Sequence, residues 1–357
     1  MARSASSPPG RKALRETPPS EPRTSTRSTG SVTLGDVAKL AGVSPITVSR
    51  ALNHPELVTP ETLETVRQAI AETGYVPNLL AGGLASSRTK LVAAIIPTLG
   101  NAMFIDTIQP LNDLLTGAGY QLLLGLSGFP TTDEQELLKG ILSRRPDAIV
   151  LTGVNHSDES RQRLKAAKIP VVEMWDLTPA PIDSLVGFSH EKVGKAVADF
   201  LFHKGYRRFA LVCAGDERAR IRRRSFLEAL GGFGLESLAT VDVPTPTTVR
   251  MGREGMARLL ADGHRPDAVF CSSDVLAHGV LAEAQSRGLR VPEDVAVMGF
   301  ADLDFAAYTF PALSTVHVDR AAIGTRAAEI LLARLGGKPA GPTMVDIGFE
   351  IIERASA

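Results

Sequence analysis

The chain has 357 residues, 44% of them hydrophobic and 22% charged, with 39 Lys+Arg balanced by 39 Asp+Glu. This length exceeds one ordinary domain, and no apolar run approaches the roughly 18 residues that a membrane-spanning helix needs, so a bilayer-embedded chain is excluded and a soluble protein is expected. The charge balance hides an asymmetry: residues 1–90 hold 11 Lys+Arg and 7 Asp+Glu (net +4), leaving 39 − 11 = 28 and 39 − 7 = 32 (net −4) downstream. A basic amino-terminal part is compatible with contact to a polyanion but does not establish it.

Residues 1–30 carry five prolines and six Lys/Arg with almost no large apolar side chains, which predicts a solvated, disordered tail. Order is expected from Thr33, an N-cap with Asp36 three residues on, followed by Leu34, Val37, Ala38 and Ala41 at helical spacing. Gly42 breaks this helix. Ser44-Pro45 starts a second one as N-cap and first helical residue, with Val48, Ala51 and Leu52 facing inward. Thr59-Pro60-Glu61 opens a third, lined by Leu63, Val66 and Ile70 and closed by Gly74. Three short helices with a tight first turn spell a helix-turn-helix domain.

From Leu91 the pattern changes. Runs such as Leu91–Ile96, Tyr120–Leu124, Ala148–Leu151, Val171–Met174, Phe209–Cys213, Ala268–Cys271 and Val295–Met298 are apolar on both faces and alternate with amphipathic stretches. Such strands belong in a parallel sheet covered on both sides, so the fold class expected is a doubly wound α/β body of two lobes with a cleft at the carboxyl ends of the strands. The two cysteines, Cys213 and Cys271, each lie in an apolar run and read as reduced core residues of a cytoplasmic protein, and the amino terminus lacks the apolar core of a secretory signal. No Walker A motif, Gly-x-Ser-x-Gly elbow or metal-spaced histidine pair occurs, so neither an enzyme nor a cofactor is expected. His190 and His317 read as core or cleft-lining groups rather than as bases.

The run from Val32 to Asn53 closely resembles the DNA-binding head of LacI/GalR-family repressors. So does Gly74-Tyr75-Val76-Pro77-Asn78. Val291-Pro292-Glu293-Asp294-Val295-Ala296-Val297-Met298-Gly299-Phe300 and Pro311-Ala312-Leu313-Ser314-Thr315-Val316 extend the resemblance through the body. Ile169 to Asp176, Val186-Gly187-Phe188, Asp216-Glu217-Arg218 with Arg222, and Asp346 to Phe349 resemble the regulators of gluconate utilisation within that family. After the tail over 1–30, the resemblance implies a head over 31–76, a hinge over 77–90, and an effector-binding and dimerisation body over 91–357 whose lobes are joined by chain crossings near 188, 317 and 343. It further implies a homodimer or tetramer on a pseudo-palindromic operator, with a sugar acid such as gluconate controlling operator affinity. A regulator of another sugar is the alternative, working as an activator or with a corepressor. A periplasmic sugar-binding protein fits less well, since it has no helical head.

At the DNA, the family positions of Pro45, Ile46 and Arg50 are base-reading ones. Ile46 suits a thymine methyl and Arg50 the O6 and N7 of guanine; the plainer alternatives are an exposed helix residue and a phosphate contact. Thr33, Ser44, Thr47, Ser49 and Asn53 carry groups that bond phosphate, although Thr33 and Ser44 also serve as helix caps. Asn78 opens the hinge, and Leu84 stands where relatives wedge a leucine into the minor groove. The adjoining Gly82-Gly83 each disfavour helix by roughly 1 kcal/mol relative to alanine, which implies a loose hinge in the absence of DNA.

In the cleft, a sugar acid needs arginine for its carboxylate and acceptors for its hydroxyls. The resemblance points Arg222 into the cleft, with Arg218 second, Asp176 and Asp274 at strand ends, and Phe104 and Phe188 as either walls or core. Ala301 follows Gly299-Phe300 where many sugar-responsive relatives place an aspartate, and the acid arrives one residue later, at Asp302. The missing acid lessens repulsion of an anionic ligand.

Overall fold

The computed structural model describes residues 32–76, 88–129, 131–235, 238–337 and 344–357. The tail over 1–30, most of the expected hinge with Asn78, Gly82, Gly83 and Leu84, and position 343 lie outside them. The chain forms two compact units, Met1–Asn78 and Leu79–Ala357.

In the first unit, helices α1 (Leu34–Ala41), α2 (Pro45–Asn53) and α3 (Pro60–Thr73) begin where their caps dictate. Thr33 and Asp36 form a reciprocal capping box, with the Thr33 amide 2.8 Å from the Asp36 carboxylate. The Thr47 amide donates to Ser44 Oγ at 3.2 Å, and the Thr62 amide to Thr59 Oγ1 at 3.3 Å. Each cap satisfies an amide that would otherwise lack a partner, and Gly42, at φ 66°, supplies the left-handed residue that lets α2 start with only three residues between it and α1. Val37, Ala38, Val48, Ala51, Val66 and Ala69 close over one another as the core. A 3-10 turn over Pro55–Leu57, which no sequence signal announces, connects α2 to α3.

The second unit is a two-lobed α/β body. Its first lobe is a parallel sheet in the order β11-β5-β4-β3-β1-β2, built from β1 (Leu91–Ile96), β2 (Gln121–Leu126), β3 (Ala148–Thr152), β4 (Val171–Met174), β5 (Ser184–Gly187) and β11 (Met344–Asp346). Strand alternation sends Val92, Ala94 and Ile96 to the face covered by α4 (Ala102–Gly117) and α11 (Arg320–Leu335). Ala93 and Ile95 face α5 (Thr131–Leu142) and α6 (Asp158–Ala167). The second lobe is a parallel sheet in the order β7-β6-β8-β9, from β6 (Phe209–Ala214), β7 (Ala239–Val243), β8 (Ala268–Cys271) and β9 (Ala296–Met298). One face carries α7 (His190–His203) and α8 (Glu217–Gly232), the other α9 (Val249–Ala261) and α10 (Asp274–Ser286). Cys213 and Cys271 are free and buried on these strands.

The chain passes between lobes after β5 and after β10 (Thr315–His317). A third passage falls between β11 and β12 (Glu350–Ile352), because the chain first adds β11 as a parallel edge to the first sheet and then pairs β12 with β10. Short edge strands such as β7 and β11, part-exposed along their length, left no long apolar run to read.

Helices α7 and α8 approach so closely at Gly194 that a Cβ there would stand 2.2 Å from the Arg222 carbonyl oxygen. Gly194→Ala would gain about 1 kcal/mol in helix propensity but must displace backbone. It is expected to cost about 1–3 kcal/mol net through overpacking, measurable as a lowered urea midpoint. An unchanged or raised midpoint would show that the two helices can part without loss.

Candidate functional site

On α2 the groups expected at DNA share one side. Ile46, Arg50 and Asn53 recur at spacings of four and three residues, and Ile46 is 65% exposed, which no packing reason accounts for. The Arg50 side chain is exposed and makes no hydrogen bond or ion pair with another described residue. Pro45 is the first residue of the helix, and Thr47 and Ser49 are half-buried beside it. Asn53 donates from its amide to the Ser49 carbonyl at 2.9 Å, while Thr33 and Ser44 spend their hydroxyls as caps. This arrangement presents an apolar tip and an unpaired guanidinium from the first turns of a helix, as base-edge readout in a major groove requires.

In the body, a cavity of about 320 Å³ lies where strand carboxyl ends of both lobes meet. Pro97, Ser127, Thr152 and Asp176, at or just beyond the ends of β1 to β4, line one side, and Ala214, Ser272 and Phe300, at or just beyond β6, β8 and β9, the other. Arg222, from the second turn of α8, is 4% exposed. Its Nη1 donates to His190 Nδ1 at 2.9 Å and its Nη2 to the Ser272 carbonyl at 3.0 Å. Its guanidinium lies 3.8 Å from the Phe300 ring centre. Its Nε has no partner, and no carboxylate among the described residues forms an ion pair with it. Burial lowers its pKa only to about 10, so it stays charged.

Because Arg222 can only donate, His190 must accept at Nδ1 and carry its proton on Nε2. That proton points at the Trp175 carbonyl, 3.1 Å away, and Asp176 Oδ1, 3.3 Å away. Burial pushes the His190 pKa down to about 4, against the pull of Asp176, and the ring is neutral. Asp176 Oδ2 accepts from Arg218 Nε at 2.8 Å. Burial works to raise the Asp176 carboxyl, yet Arg218 and His190 hold it well below the usual carboxylate range. The chain reaches this position through a left-handed residue, Trp175 at φ 82°, whose backbone amide still bonds Val186. Gly187 makes room, since a Cβ there would meet the Asp176 carbonyl at 2.2 Å.

Of the effector residues expected, Phe104, Asp176, Arg218 and Arg222 line the cavity and two do not. Phe188 is fully buried among Trp175, His190 and Phe300, edge-on to the first two, and backs the site from within. Asp274 is also fully buried: its carboxylate accepts from Thr315 Oγ1 at 2.5 Å and from the Leu303 amide at 2.7 Å, so it ties loops together instead of facing ligand. Burial raises its pKa to about 6 against those bonds. Asp302 is likewise engaged, with His317 Nδ1 at 2.9 Å and Arg354 Nη2 at 2.8 Å, and leaves no carboxylate where Ala301 stands.

Sequence reasoning missed Phe300, His190 and Ser272 as partners of Arg222, and it missed Glu134 and His156 on the first lobe's wall. Glu134 lines the cavity and bonds His156 at 2.7 Å, a pair separated by 22 residues that no local pattern could connect.

Residues 33–78 match the family model of bacterial regulatory proteins of the lacI family, and residues 198–357 match that of the periplasmic binding protein-like domain. The HTH-type transcriptional regulator GntR of Pseudomonas aeruginosa is 40% identical over 337 residues, covering 93% of this chain and 97% of that one. A LacI-family transcriptional regulator from Silicibacter pomeroyi superposes with a TM-score of 0.86 at 33% identity, covering 91% of this chain and 99% of that one. The transcription regulator GntR from Chromobacterium violaceum superposes with a TM-score of 0.71 at 36% identity, over 74% of this chain and 98% of that one. With the capped helix-turn-helix, the two-lobed body and these relatives in agreement, the chain belongs to the LacI family of bacterial regulatory proteins and is a DNA-binding transcriptional regulator, not an enzyme.

Proposed function

We propose that the protein represses transcription as a cytoplasmic homodimer on a pseudo-palindromic operator, and that gluconate or a close sugar acid entering the body's cavity releases it. The division of labour is a head over 31–76 that reads DNA, a hinge over 77–90, and a body over 91–357 that binds effector and dimerises. One observation carries the effector reading. Arg222 is a buried cation on the cavity wall whose only hydrogen-bond partners among the described residues are a neutral imidazole and a carbonyl. Removing a guanidinium from water without a counter-ion costs several kcal/mol, and a ligand carboxylate would recover it through a charge-assisted bond. Arg218 is already neutralised by Asp176, and the exposed Arg220 stands 3.6 Å from Glu217, so Arg222 is the buried cation left for the ligand. The likeness of Ile169 to Asp176 to the gluconate-responsive subgroup, together with relatives named GntR, supports a sugar acid over a neutral sugar.

Release follows if the cavity's two lobes take up two arrangements that the ligand and the operator favour differently. By linkage, operator must then weaken the sugar acid by the factor by which the sugar acid weakens operator. Among the described residues no helix is long and apolar enough to cross a membrane, which is compatible with the proposed location.

Arg222→Ala is expected to weaken gluconate at least about tenfold while preserving uninduced operator binding. Calorimetric titration with and without operator checks this; unchanged gluconate affinity in the variant removes Arg222 from the site, and no binding to the wild type removes the effector. Arg50→Ala is expected to cost about 1–3 kcal/mol at the operator and to relax one base-pair preference. Mobility shifts on operator variants check that, and equal weakening on random DNA would make Arg50 a phosphate contact.

A further inference from the structure

The first lobe holds a second ionic cluster, which the arginine end of the site does not use. His156, in the loop between β3 and α6, is 8% exposed. Its Nδ1 lies 2.7 Å from Glu134 Oε1, and its Nε2 lies 3.0 Å from the Gly153 carbonyl and 3.5 Å from Glu173 Oε1. Every group facing the ring nitrogens is an acceptor, so both carry protons. Burial opposes the charge, but the bond to Glu134 and the nearby Glu173 carboxylate outweigh it and push the His156 pKa up to about 9. Arg161, on α6, stands 3.9 Å from Glu173, and the Ile182 amide donates to Glu173 Oε2 at 2.6 Å. The groups facing His156 are therefore Glu134 from α5, Glu173 from β4 and the Gly153 carbonyl, with Arg161 behind Glu173.

Apolar side chains of similar volume would hold these elements together with less desolvation, so a buried ionic cluster here is weak as a stability device. Two of its members, Glu134 and Gly153, reach the cavity wall. Beside them on the same wall, the Thr152 hydroxyl is buried and has no hydrogen-bond partner among the described residues. A carboxylate locked in place and an unpartnered hydroxyl are the groups that receive and share ligand hydroxyl protons. The same carboxylate repels a second anionic group on the ligand.

We propose that Glu134, oriented by His156, reads the hydroxyls of the effector from the first lobe, so that the site selects polyhydroxy acids with a single anionic end. This rests on the sugar-acid reading above and adds a specificity to it. Glu134 is the residue that touches the ligand; His156 is a positioning residue.

The test uses the full-length protein with gluconate and 6-phosphogluconate as probes. The wild type is expected to favour gluconate by more than about tenfold, and Glu134→Gln to lose about tenfold in gluconate affinity while narrowing that preference. His156→Gln should shift both in the same direction by less, and Glu134→Asp should keep the preference at reduced affinity. Thermal melting and operator binding report whether each variant folds; should Glu134→Gln fail, the Glu134→Asp and His156→Gln ratios decide. If the wild type binds gluconate but the variants leave affinity and preference unchanged, this inference falls and the sugar-acid reading stands. If the wild type binds neither acid, both fall.

The charge on His156 has its own readout. A folded pKa of about 9 against an unfolded value near 6.5 means that its stabilisation is fully present below pH ~6.5 and is lost as pH rises through about 9. The difference in urea midpoint between wild type and His156→Gln should therefore shrink from pH 6 to pH ~9.5, and a constant difference would overturn the ionised pair.

Discussion

A guanidinium kept dry with no carboxylate among the described residues to answer it is the constraint around which the body is organised. Arg222 can be buried only if its N–H groups are met by neutral acceptors and its flat face by an aromatic ring. Ser272, His190 and Phe300 meet those needs, and each comes from a different element. His190 in turn is held to one tautomer, and that tautomer hands its remaining proton towards Trp175 and Asp176. The close crossing of α7 and α8 at Gly194 keeps the two partners at bonding distance. The cation is thus placed by one lobe and oriented through a chain of bonds that ends in the other.

That chain gives a ligand leverage on both lobes. Asp176 belongs to the first lobe and Arg218 to the second, and their ion pair spans the cavity. On the proposed function, an incoming carboxylate would compete with Asp176 for the local cations while hydroxyls engaged the opposite wall, which would couple the relative position of the lobes to the occupancy of the site. Neither Cys213 nor Cys271 takes part in this arrangement.

Much of the head was legible because its boundaries are set by local chemistry. Thr33, Ser44 and Thr59 cap the residues that follow them, and Gly42 and Gly74 adopt the left-handed conformation their neighbours cannot hold cheaply. The parallel strands were legible for a similar reason, since a strand covered on both faces has no polar alternation to confuse it with a surface element. The cavity was legible only in part. Asp274 sits at the end of an apolar run, as a cleft residue would, but Leu303 in the loop after β9 takes up one of its oxygens and Thr315 on β10 the other. Phe188 and Phe300 have the same side chain and similar strand-end positions, yet Phe300 faces the guanidinium and the cavity while Phe188 lies behind it; only the packing of the two lobes distinguishes them. Glu134 and His156 belong together through a tertiary contact with no sequence period.

The order in which the lobes are threaded has a consequence for how the chain is made. The first lobe owns the segments from β1 to β5 and then α11 and β11, with the whole of the second sheet synthesised between them. Helix α11 covers the face that displays Val92, Ala94 and Ile96, and Arg320 reaches back across 214 residues to Asp106. At the ribosome, where chains emerge at about 5–20 residues per second, that apolar face must wait for many seconds while β6 to β9 pass, and the second sheet can assemble before the first is sealed. Such non-local closure is intrinsically slow and leaves a sticky intermediate. A nascent chain of this design therefore keeps that face open until α11 follows the second sheet, although the strands that form it are made well before that sheet.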